Sequence, residues 1–88
     1  LSSLGLTVAP SEDGAGLAIT DVDPDSDAAA RGLKEGEKIT SVNNQQVASA
    51  ADVEKILSQA KKDGRSKALF QIQTENGSRF IALDIDQG

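Results

Sequence analysis

Gly32-Leu33-Lys34-Glu35-Gly36-Glu37-Lys38-Ile39, followed closely by Val42-Asn43-Asn44-Gln45-Gln46-Val47, is the stretch on which the fold turns. Gly32 supplies a left-handed stop to one short helical turn over residues 27–31, with Ser26 as its N-cap and Leu33 as an apolar plug. Residues 38–42 then read as a strand, and Asn43-Asn44 turns the chain into a brief extended piece ending at Val47. Upstream, Leu6-Thr7-Val8 alternates as a short strand. A polar loop follows over 11–16, then a second strand over 17–22 that Asp23-Pro24 closes. Downstream, Ser49-Ala50-Ala51-Asp52 opens a longer helix with a capping-box pattern in which Asp replaces Glu or Gln. That helix puts Val53, Ile56, Leu57 and Ala60 on one side, with Ile56 expected in the core, and ends at Gly64 behind Lys61 and Lys62.

The chain closes with a hairpin. Asn76-Gly77 favours a two-residue type I′ turn, which sets Ile72 opposite Ile81, Phe70 opposite Leu83 and Ala68 opposite Ile85. All three pairs share one face, which is therefore the core face. The other face carries Gln71, Gln73 and Asp84, and its apolar exceptions Leu69, Phe80 and Ala82 imply partial cover. Strands and helices in this order give an α+β domain.

Composition narrows the function. The chain has 88 residues, 38% hydrophobic and 26% charged, enough for one small core. Its only aromatics are Phe70 and Phe80, and its formal net charge is −5, so neither base stacking nor phosphate attraction is served and no nucleic-acid partner is expected. No apolar run reaches the length of a membrane span, and no membrane insertion is expected. Without His or Cys the chain cannot build a Ser–His or Cys–His nucleophile, nor a thiolate metal site. No catalytic residue is assigned, and no metal or other cofactor. Asp21, Asp23, Asp25 and Asp27 are spaced like the start of a calcium loop, but Ser26 stands where that loop needs glycine and Gly32 where it needs glutamate. They read as a polar strand-to-helix connection. Gly14-Ala15-Gly16 precedes a strand, lacks the third glycine of a dinucleotide fingerprint, and reads as a turn.

What remains is Leu4-Gly5-Leu6 at a strand entrance. A glycine between two leucines lets backbone N–H groups turn toward an anion beside an apolar pocket, which suits the carboxy terminus of another polypeptide. With the block at 32–47, with Val22-Asp23-Pro24-Asp25-Ser26-Asp27-Ala28-Ala29 and with Ser49-Ala50-Ala51-Asp52-Val53, this loop resembles a PDZ domain over nearly all of the chain. The resemblance is to the circularly permuted kind in bacterial Deg/HtrA (Do-like) periplasmic serine proteases, most of all their second, C-terminal PDZ domain. It implies a partly open β-barrel or sandwich of five to six strands with one short and one longer helix, residues 1–88 forming a single domain of a larger protease. The last strand should run beside the amino-terminal loop.

The resemblance further implies a non-catalytic module that binds hydrophobic C-terminal peptides or unfolded polypeptides by strand addition. Leu4, Gly5 and Leu6 would hold the carboxylate; Thr7, Val8, Ala50, Val53, Glu54 and Leu57 would line the groove. Ala50 or a near neighbour stands where many relatives carry a His, so no selection for Ser or Thr two residues before the ligand terminus is expected. The alternative is a structural domain docking on the protease domain or neighbouring subunits to control assembly. Departures from the family pattern are mild: Asn44 replaces the glycine of the Val-Asn-Gly turn, and Asn tolerates a left-handed backbone.

Overall fold

The computed structural model describes residues 5–13 and 16–85. Six strands and two helices follow one another as β1 (Leu6–Pro10), β2 (Leu17–Val22), α1 (Asp27–Ala30), β3 (Lys38–Val42), β4 (Gln45–Gln46), α2 (Ala50–Lys62), β5 (Lys67–Thr74) and β6 (Gly77–Asp84). All pairings are antiparallel in one open sheet of order β1-β2-β3-β5-β6, and the short β4 lies beside β3. β3 is the hub. Its first residues pair with β2, its last with β4, and β5 runs along its other side.

The local signals act as the sequence implies. Ser26 Oγ accepts from the Ala29 N–H and caps α1. Gly32 at φ +90° ends it, and the Leu33 N–H donates to the Ala28 carbonyl while the Leu33 side chain is buried. Ser49 Oγ accepts from the Asp52 N–H, and the Asp52 carboxylate accepts in return from the Ala48 N–H, one residue before the cap, in a variant of the capping box. The core gathers Leu17, Ile19, Ile39, Phe70, Ile72 and Leu83 from the sheet under Val53 and Leu57 of α2. Phe70 is wholly enclosed, and burial of such a side chain contributes about 1.5–3 kcal/mol.

The hairpin register differs from expectation. The hairpin turns at Glu75-Asn76, not Asn76-Gly77, so Phe70 faces Ile81, Ala68 faces Leu83 and Ile72 faces Arg79. Thr74 fixes the turn: its Oγ1 donates to the Gly77 carbonyl and accepts from the Asn76 N–H. The slip is two residues, so every side chain keeps its face. The two-residue turn with both residues at positive φ is Asn43-Asn44, between Val42 and Gln45. The outer face of β5–β6 is partly covered: Ala82 is half-buried and Leu69 38% exposed, while Phe80 is 57% exposed.

β6 forms the sheet edge opposite β1, so it is not beside the amino-terminal loop in the ladder. It reaches that loop through α1, where Asp27 Oδ2 accepts from the Asp84 N–H and the neighbouring Ser26 packs on Gly5.

Candidate functional site

β1 is an edge strand, and the phase of its ladder decides what it offers. The Asp23 N–H donates to the Gly5 carbonyl at 2.7 Å while Leu6 stands opposite Val22. In an antiparallel ladder this makes Leu6–Val22 a non-hydrogen-bonded pair, so the Leu6 N–H and C=O point away from β2. Val8 stands opposite Ile19. Ile19 spends its own N–H on the Glu37 carbonyl (2.8 Å) and its carbonyl on the Gly36 N–H (2.9 Å), both on the side away from β1. Val8 therefore also turns its N–H and C=O to the open edge. Between them Thr7 pairs with Asp21. The register shifts after Thr7, leaving Thr20 as the extra residue, whose Oγ1 donates to the Thr7 carbonyl at 3.1 Å. Pro10 ends the strand without a donor.

Gly5 sits at the head of this edge with φ +76°. A Cβ there would lie 2.2 Å from Ser26 Cβ, so the position excludes every other residue. The close approach that demands glycine is thus to Ser26 at the start of α1, where the sequence reading placed it toward a ligand. Leu4 lies outside the described residues.

α2 supplies the facing wall. Its Asp52, Lys55, Ile56 and Gln59 line clefts beside β4; the larger, of about 400 Å³, also takes in Asn43, Ala60, Asp63 and Leu69. At 3.6 residues per turn the opposite flank carries Ala50, Glu54, Leu57 and Lys61, and α2 packs on β1 as well as β5. Glu54 is exposed and Ala50 half-buried. Val53 is wholly enclosed beneath them, Leu57 is 7% exposed, and Ile56 is buried toward the β4 side. Leu6, Val53 and Leu57 fill the floor between β1 and α2 with their own side chains. Val8 is half-buried against the core, whereas Thr7 is exposed on the outer face of the strand.

The sequence residues Gly5, Leu6, Val8, Ala50, Glu54 and Leu57 are thus brought to one edge and the helix beside it, with Val53 beneath and Thr7 across the sheet. Sequence reading expected an outward N–H at Leu6; the matching outward turn of Val8, which follows from the alternation along β1, it did not name. Among the described residues no group of three His, Cys, Asp or Glu could hold a metal. The run Asp21 to Asp27 serves local structure instead: Asp23 Oδ1 accepts from the Asp25 N–H, and Asp27 pairs with Arg31 at 3.5 Å.

Comparison with known proteins gives the family. The family model described as PDZ domain matches residues 1–73. The chain belongs to the PDZ domain family. It is 70% identical over its full length to a "Probable periplasmic serine endoprotease DegP-like" of Rhizobium meliloti (strain 1021), covering 18% of that protein. It is 56% identical over 99% of its length to the protein of the same name in Brucella suis biovar 1, covering 17% of it. The chain therefore spans less than a fifth of the curated relatives it matches. It corresponds to a PDZ domain alone and is non-catalytic.

Solved PDZ domains share the fold. The HtrA3 PDZ domain bound to a phage-derived ligand (FGRWV) superposes with a TM-score of 0.75 at 16% identity, over 92% of this chain and 81% of that one. The PDZ domain of EpsC from Vibrio cholerae does so with a TM-score of 0.71 at 10% identity, over 96% and 98%.

Proposed function

We propose that this chain is the peptide-binding PDZ domain of a periplasmic serine endoprotease, and that it takes hydrophobic C-terminal ends of polypeptides as an added strand on β1. The observation that carries the reading is the pair of outward N–H and C=O groups at Leu6 and Val8, alongside the α2 flank of Ala50, Glu54 and Leu57. An extended chain laid antiparallel to β1 meets them in ladder register, and its last residue ends at Gly5. Periplasmic placement and a protease partner in the same polypeptide follow from the names of the relatives, and an apolar ligand end accords with the terminal Val of the peptide on the HtrA3 domain. Leu6 and Leu57 are buried at the base of this edge. The cost of ordering the peptide keeps binding weak and reversible.

Titration of short Val-terminated peptides, with free and with amidated ends, tests the reading. Amidation removes the charge aimed at the loop and is expected to weaken binding about tenfold or more. Equal affinity for both ends would refute carboxylate recognition.

One observation favours a second role. Phe80 and Leu69 are exposed on the outer face of β5–β6, away from β1, and suit a contact with another domain or subunit of the parent protease. Phe80→Ser in the full-length protein would then change its sedimentation without altering peptide affinity.

A further inference from the structure

The negative charge of this chain is not spread evenly. Residues 1–30 hold six carboxylates (Glu12, Asp13, Asp21, Asp23, Asp25 and Asp27) and no Lys or Arg, while the rest of the chain holds eight carboxylates against nine cations. Residues 1–30, which comprise β1, β2, their connections and α1, therefore carry a formal −6 and the rest of the chain +1. Two of the six have cationic partners: Asp13 with Lys38 and Asp27 with Arg31. Asp21 is exposed and has none among the described residues.

Its position is specific. Asp21 stands directly opposite Thr7, so both side chains project from the outer face of the sheet. An antiparallel strand added to β1, with its last residue beside Leu6, sets its penultimate residue beside Thr7 and turns that side chain to the same outer face. Thr7 is short. From the added strand to β2 is two strand spacings, roughly 10 Å, which the stem of a Lys or Arg and the side chain of Asp21 together bridge across Thr7. On the inner face Glu54 and Lys61 of α2 oppose each other in sign, so the charge preference arises on the outer face.

Building on the strand-addition reading, we propose that Asp21 makes this edge select polypeptide ends with a basic penultimate residue. The ligand class is then a free carboxy terminus with an apolar last residue and Lys or Arg before it. Acidic residues at that position are disfavoured by the same carboxylate.

Fluorescence anisotropy with three labelled peptides, identical except for Lys, Ala or Glu before a terminal Val, tests this on the wild-type chain and on Asp21→Asn. The Lys peptide is expected to bind about twofold to fivefold tighter than the Ala peptide, with the Glu peptide weakest. That spread should shrink as salt rises and collapse in Asp21→Asn, while Ala-peptide affinity stays unchanged. Equal binding of all three would overturn the charge selection and leave strand addition standing. A preference undiminished in Asp21→Asn would overturn the assignment to Asp21. Binding of none would overturn both readings.

Discussion

The sheet has two edges, and they are treated differently. β6, eight residues long, is the more exposed to unwanted pairing, and it is guarded. Arg79 on it donates to the Gly32 carbonyl at 2.8 Å and lies 3.4 Å from both Glu37 oxygens; Glu37 in turn accepts from the Lys34 N–H. Further along, the Asp84 N–H is taken by Asp27 of α1, and the Asp84 carboxylate pairs with Lys67. β1 is shorter and has no such guard among the described residues; its outward groups at Leu6 and Val8 face the α2 flank. A small sheet can leave an edge available at low risk when that edge is brief, ends in proline and lies in a negative field.

The largest effect should come from the head of the open edge. Gly5→Ala forces a Cβ onto Ser26 at positive φ and is expected to cost roughly 2–4 kcal/mol in urea unfolding, with loss of peptide binding. Next comes proline scanning along β1. Thr7→Pro removes a donor turned toward β2 and should destabilise by about 1–3 kcal/mol more than Val8→Pro, whose lost donor faces outward. Val8→Pro should nevertheless abolish peptide binding, and the reverse ranking would place the ladder in the other phase. At the guarded edge, Arg79→Ala should cost about 1 kcal/mol and speed amide exchange in β6 and at Gly32, leaving β1 unaffected.

The smallest effect is electrostatic. The hydrogen bond and charge of Lys67 hold the Asp84 carboxyl below its ordinary value. A group with a depressed folded value stabilises above its unfolded pKa of about 3.9 and loses that contribution as pH falls through the folded value. Lys67→Met should raise the Asp84 titration seen by NMR toward the ordinary range and make unfolding less pH-dependent in that acid window.

Elements and caps were legible because each rests on local chemistry: Ser26 and Ser49 as N-caps, Gly32 and Gly64 as stops, the 17–22 and 38–42 strands. The hairpin register was not, because a two-residue slip leaves the hydrophobic pattern on the same faces, and Thr74 rather than Asn76-Gly77 set the turn. Phe80 shows the converse limit: an apolar residue on an outer face does not say that anything covers it. At the site, Gly5 was legible as a residue but not in its reason, since its contact with Ser26 spans a turn and a strand. The outward phase of Leu6 and Val8 is set by which β1 groups bond to β2, beginning with the Gly5 carbonyl and the Asp23 N–H, and no pattern in β1 announces that choice.

Pro10 acts as a ruler along this edge. A visiting chain finds regular pairing at Leu6 and Val8, then meets Pro10, which has nothing to donate. Lengthening a ligand upstream of that point should bring little further gain, so the domain would read only the last few residues of whatever it meets. A tail identical at its tip but different beyond it would look the same to it.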